Sequence, residues 1–288
     1  MPLQLHQNLN LLFLLVLGYL TANVTLFWGD IVVILIFTLF VEHLLLYFNK
    51  TRSFYFSYSS LSTAIGIVLL LYATSLWIYF VVITLALVQK HFLTFRAKHL
   101  FNPSNFALIV ALILFYDKAH IVTGQLGDDL LFTLVVLVLA LSILVRAKRL
   151  IIPLVFIFSY LLFQYFLVVF YEPTVIFEEV YHRLYMVTFM LFIYFMLTDP
   201  AVTPSSIKGQ VVFALGIGLL STLLDRFYGF RVQHLFMAVF FFSFWVNILP
   251  LKRLSTQELK LAMIILFFII GALVYIEYQA PYYFEMNG

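Results

Sequence analysis

Eleven long apolar stretches separated by short polar breaks leave this chain few ways to fold. They run over residues 9–28, 30–48, 59–72, 75–91, 104–116, 129–145, 150–170, 182–197, 209–224, 233–249 and 259–279. A helix crosses the hydrocarbon core of a bilayer with about 20 apolar residues, and stretches near that length fill most of the sequence. With 65% of 288 residues hydrophobic and 10% charged, the chain carries more apolar surface than one water-soluble core can bury. The expected fold is an all-α polytopic membrane protein of about eleven transmembrane helices, a single integral membrane domain over residues 1–288. The 34 Phe and 18 Tyr suit lipid-facing surface and interfacial belts. Segments 59–72 and 104–116 are short, and read either as half-helices or as spans extended through polar residues buried against neighbours. The first run has no Lys or Arg before it and no small-x-small cleavage site near Thr21–Asn23, so it reads as a retained span.

The charges predict an orientation. With the N-terminus inside, the inner loops hold twelve Lys and Arg and the outer loops four: Lys118, Arg183, Arg226 and Arg231. That bias places the N-terminus in the cytoplasm and the C-terminus outside a cell inner (cytoplasmic) membrane. The net charge of +3 is too small and scattered for a nucleic-acid surface, and the absence of Cys excludes disulfides, thiolate metal sites and Cys nucleophiles. The seven His show no metal-ligand spacing, and no P-loop, G-x-S-x-G elbow or G-x-G-x-x-G is present, so neither a hydrolase nor a transferase is indicated. Gly216-x-Gly218, inside a span, reads as a close helix contact.

Three polar stretches carry the candidate chemistry. In Lys98–Phe106, Asn102 before Pro103 is an N-cap signal. The helix it starts presents amide donors that favour anions and electron-rich oxygens, and Asn105 shares its first turn. In Thr198-Asp199-Pro200, followed by Pro204, one segment ends and the next begins, with Asp199 read as a cap, a cation ligand or a proton site, the cap foremost. Ser59–Thr63 is hydroxyl-rich, with Ser60, Ser62 and Thr63 bonding to backbone or to a ligand. Glu42-His43 reads as an interfacial pair reaching water, and Asp225-Arg226 as an ion pair at the end of segment 9. The echo of Lys98-His99-Leu100-Phe101 in Gln233-His234-Leu235-Phe236 suggests five-span repeats of opposite topology.

At Lys98-His99-Leu100-Phe101-Asn102-Pro103-Ser104-Asn105-Phe106 the chain resembles the membrane subunits that include the D subunit of the Rnf electron-transport complex and the B subunit of the sodium-pumping NADH:quinone reductase. It is most similar to their stand-alone branch, often labelled enediyne biosynthesis membrane protein, which carries the same Ser-Ser-Leu-Ser (Ser59–Ser62) and Lys-His-Leu-Phe-Asn-Pro segments. Thr198-Asp199-Pro200 resembles the family's Thr-Asp-Pro turn. The resemblance implies a urea-transporter-like core of two inverted five-helix repeats, 9–116 and 129–249, with 259–279 as an extra C-terminal helix. It also implies a flavin, FMN or riboflavin. The family's covalent attachment run, Ser/Thr-Gly-Ala-Thr, is missing. Thr123-Gly124-Gln125 is the nearest candidate and lacks the Ala-Thr, so noncovalent binding is expected.

Two functions follow. In the first, the chain is a flavin-binding electron-transfer subunit in which Ser60, Ser62, Thr63, Asn102, Asn105, Thr198 and Asp199 contact the flavin's polar edge and Phe101 and Phe106 stack on it. Having no quinone, haem or nicotinamide motif, it needs redox partner proteins. In the second, the same core transports a small solute, a flavin included.

Overall fold

A computed structural model describes residues 3–21, 24–48, 57–95, 98–122, 126, 130–171, 177–200, 202–248 and 255–287. Each of the eleven apolar stretches contains helix. In chain order these are α1 (Leu3–Thr21), α2 (Trp28–Phe48), α3 (Tyr58–Leu70), α4 (Leu76–Phe92), α5 (Pro103–Leu114), α6 (Leu130–Ala147) and α7 (Ile151–Phe170). A short α8 (Phe177–His182) precedes α9 (Val187–Leu191), which continues as a π-helical turn over Phe192–Met196. Then come α10 (Ile207–Tyr228), α11 (Gln233–Ile248) and α12 (Thr256–Asn287). Among the described residues, α2, α6, α7, α10 and the Thr256–Ala280 part of α12 are long and apolar enough to cross a membrane. The protein is a helical membrane protein.

The long helices carry large apolar side chains on their outward face as well as towards the core, as lipid-solvated helices do. On α2, Ile31, Ile34 and Val41 face the core while Val32, Ile36 and Phe40 are exposed. The inward face is the one that carries polar groups: Thr38 and Glu42 on α2, and Gln164 on α7, are buried.

The two short segments are half-helices that finish as strand. At 13 and 12 residues, α3 and α5 reach about 20 Å and 18 Å at 1.5 Å per residue, too little for a bilayer core. The chain then runs extended: β1 (Leu71–Ala73) follows α3, and β4 (Ala119–Ile121) follows α5. They pair antiparallel with Leu71 opposite Ile121, so each strand satisfies the other's backbone groups. A second ribbon, β2 (Thr94–Phe95) with β3 (Lys98–His99), turns the chain between α4 and α5. The fold therefore departs from purely helical where backbone at depth needs partners a half-helix does not supply.

Packing pairs the two halves. α4 lies between α2 and α5, and α10 between α7 and α11. α1 packs on α3 as α6 packs on α9, and the halves meet through α1 with α6 and α5 with α11. α12 rests against α11 and α5.

Gly216 and Gly218 make the close contacts their spacing suggested. A Cβ on Gly218 would stand 2.8 Å from Ser159 Oγ and 3.4 Å from the Tyr160 backbone nitrogen on α7, and one on Gly216 would meet the Phe242 ring. Gly218→Leu is therefore expected to force α7 from α10 and destabilise the protein by about 1–3 kcal/mol. An unchanged melting temperature in detergent would contradict this.

Candidate functional site

The two polar breaks meet. Asn102 caps α5, its Oδ1 accepting a hydrogen bond from Asn105 N at 3.1 Å, with Pro103 in the first turn. The other half of the same amide, Nδ2, donates to Asp199 Oδ2 at 2.7 Å. One side chain thus closes a helix end and fastens it to the Thr198-Asp199-Pro200 turn. That turn is held locally: Thr198 Oγ1 donates to Tyr194 O, Thr203 Oγ1 to Asp199 O, and Arg149 Nε to Thr203 Oγ1. The start of α10 is capped by Ser206, whose Oγ accepts from Gly209 N at 3.1 Å. Asp199 Oδ2 faces Asn102.

Beside this junction lies a cavity of about 530 Å³. Ser59, Ser62, Thr63, His99, Asn102 and Asp199 form its polar wall, with Gln4 and Gln7 of α1; Leu69, Leu191, Phe195 and Met196 form the apolar wall. The hydroxyl protons of Ser62 and Thr63 are already spent, on Tyr58 O and Asn8 Oδ1 and on Ser59 O. These two side chains can therefore offer the cavity only acceptor lone pairs. His99 Nε2 is buried without a hydrogen-bond partner. Burial pushes the His99 imidazole below its ordinary range, opposed by the Asp199 carboxylate. Burial likewise lowers Arg149, again against Asp199.

Of the nine residues expected at the site, Ser62, Thr63, Asn102 and Asp199 line the cavity, and Ser60, Phe101, Asn105, Phe106 and Thr198 are not among its lining. Ser60 donates to Ser57 Oγ, away from the cavity. Phe101 stacks on Phe240 of α11 with ring centroids 4.4 Å apart, and Phe106 packs against both rings, so the two phenylalanines are core. Asn105 Nδ2 donates to Phe236 O, tying α5 to α11. His99, Ser59 and Ser104 belonged to the motifs already singled out. The spacing of Gln4, Gln7 and Leu11 was the overlooked sign that α1 turns one face to the cavity.

Residues 117–257 match the sequence model of the NQR2, RnfD, RnfE family. Over that stretch, just under half of its length, the chain is similar to this family. No curated protein matches it. The matched stretch runs from just before β4 into the first turn of α12. It contains the Thr198–Pro200 turn and stops short of Asn102. Thr123-Gly124-Gln125 lies outside the described residues.

Two further polar clusters correct the reading of the acidic pairs. Glu42 does not reach water: it is 1% exposed, accepts from Lys90 Nζ at 2.8 Å and from Ser57 Oγ, and pairs with His91 Nε2 at 3.0 Å. Asp225 turns from Arg226 to His234, Gln164 and the Arg231 backbone, while Arg226 sits over the Tyr171 ring. In both places a buried carboxylate finds partners on neighbouring helices that adjacency in sequence does not reveal.

Proposed function

We propose that this protein is a membrane subunit of a redox complex of the kind its matched stretch resembles, and that it holds a flavin, FMN or riboflavin, noncovalently in the Asn102–Asp199 cavity. The observation that carries the reading is the start of α5 at the cavity wall, capped by the same Asn102 amide that holds Asp199. A capped helix start favours the negative charge of a reduced ring or a phosphate. The residues present suit such a group. The volume is within the range of cofactor pockets, one wall is apolar, and His99 supplies a buried ring nitrogen with no other partner. His99 and the α5 amides would hold the polar edge, the Ser62 and Thr63 oxygens would accept from ring N–H, and Phe195 and Met196 would cover a face. Bound there, a flavin supplies one- and two-electron transfer. Asp199, held by Asn102, sets the charge at the polar wall.

The wider reading has support of the same kind. The matched packing of α1–α5 and α6–α11 favours two inverted repeats with α12 appended. The positive-inside count puts the cavity end towards the cytoplasm, where partner proteins would deliver or collect electrons. A second cavity of about 460 Å³, lined by Glu178, Glu179, His182, Arg183, Met186, Phe230 and Val232, favours solute transport as the alternative.

The test is the visible absorbance of detergent-purified protein, before and after acid precipitation. Flavin bands that pass into the supernatant are the expected result. Colourless protein from riboflavin-replete cells would refute the redox reading and put transport first.

A further inference from the structure

We propose that Asp225, His234 and Glu277 form a buried proton-binding site whose proton fastens α12 to the rest of the fold. The site lies about 27 Å along α10 from its start at Ile207, at 1.5 Å per residue, so it is remote from the flavin cavity and independent of that reading. Four helices, α7, α10, α11 and α12, and the α10–α11 loop converge on it, and His234, Asp225 and Glu277 are 0%, 4% and 3% exposed. Asp225 Oδ1 lies 2.6 Å from His234 Nδ1 and accepts from Arg231 N at 3.1 Å. Its Oδ2 accepts from Gln164 Nε2 on α7. Glu277 Oε1, on α12, lies 3.2 Å from His234 Nε2 and accepts from Gln233 Nε2 at 3.0 Å, and Oε2 accepts from Arg231 Nη1 at 3.2 Å.

Hydrogen-bond counting requires the proton. Both imidazole nitrogens face carboxylate oxygens, but a neutral imidazole has one N–H. With His234 neutral and both acids ionised, a ring lone pair would point at a buried carboxylate. One more proton, on His234 or on a carboxyl, completes the bonds and offsets one buried negative charge. Gln164 presents its N–H to Asp225, as an ionised carboxylate requires. The longer contact is the one to Glu277, so the added proton belongs to the α12 side. The polar ties named here that reach α12 all end on Glu277. Loss of the proton would set a lone pair against its carboxylate and push the helix away. The proton comes from water and returns to it. Phe230 and Val232, flanking Arg231, line the second cavity, where Arg183 lies over the Phe230 ring and donates to Tyr160 OH at 2.9 Å.

The test uses the full chain, which contains no Cys. Spin labels on Phe227→Cys and Val274→Cys, both exposed positions, report the separation of α12 from α10. The expected native result is one narrow separation. Nitrogen-15 spectra should show one doubly protonated histidine that His234→Gln removes, or infrared spectra a protonated carboxyl that Glu277→Gln removes. His234→Gln, which keeps an amide donor but cannot bridge the two carboxyl groups from opposite ends, should lengthen and broaden the separation, and adding Glu277→Gln should restore it. A neutral His234 with no protonated carboxyl overturns the site. An unchanged separation in His234→Gln, or no restoration in the double variant, overturns the fastening. Should His234→Gln alone fail to fold, the native spectra and the double variant still decide the matter.

Discussion

If the cavity holds a flavin, Asn102→Asp should lower its occupancy at least tenfold, together with the melting temperature, although the helix cap survives. Asp is as good an N-cap as Asn, so Oδ1 can still accept from Asn105 N. What changes is the other half of the side chain. The Nδ2 that donated to Asp199 Oδ2 at 2.7 Å becomes a second carboxylate oxygen. Two carboxylates at that distance cannot both stay ionised in a buried site. Either one takes a proton or the Thr198–Pro200 turn moves off α5, and the cavity between them changes shape or charge. Asn102→Ser, which keeps a cap and brings no charge, should cost less. The decisive variant is the reversed pair, Asn102→Asp with Asp199→Asn, in which the amide at 199 donates back. Recovery of occupancy and melting temperature in the reversed pair would assign the effect to the bridge. Failure to recover, with flavin retained in Asn102→Asp alone, would show that the bridge does not shape the cavity.

That bridge marks where the sequence stops being legible. The N-cap at Asn102 could be read locally, because cap, proline and helix start lie within four residues. So could the close approach at Gly218. Asn102 meeting Asp199 depends on how two half-structures pack, and the sequence offered only a three-residue echo towards that. The acidic pairs misled for the same reason. Glu42-His43 and Asp225-Arg226 look like neighbours, yet successive helical residues point about 100° apart, so each acid reaches across to another helix. Phe101 and Phe106 read as stacking surfaces and proved to be core, since an aromatic ring beside a candidate site carries no sign of which it is. The short segments were left open between half-helix and extended span. The strand pairing that settles them joins residues 71–73 to 119–121, with two helices and a ribbon between.

Glu42→Ala should be the most destabilising single change in the first half, by about 3–5 kcal/mol, because it removes one partner of a buried ion pair and leaves the other. Lys90, only 12% exposed, would keep an ammonium group whose 2.8 Å partner has gone, and Ser57 and His91 would lose the oxygens they now face. The loss falls on three elements at once, since Glu42 lies on α2, Lys90 and His91 on α4, and Ser57 at the start of α3. Ser59, Ser62 and Thr63 follow on α3, so loosening there reaches the cavity wall. The net value of the pair is a separate matter. An apolar replacement of both charges often costs little, because the desolvation penalty disappears together with the attraction. Glu42→Leu with Lys90→Leu should therefore recover most of the stability lost in Glu42→Ala, with a coupling of a few kcal/mol in a double-mutant cycle. Thermal unfolding in detergent followed by size exclusion reads both variants. A Glu42→Ala protein that melts with the native one would mean that Lys90 reaches water on its own, and the cluster would then be peripheral to the packing of α2, α3 and α4.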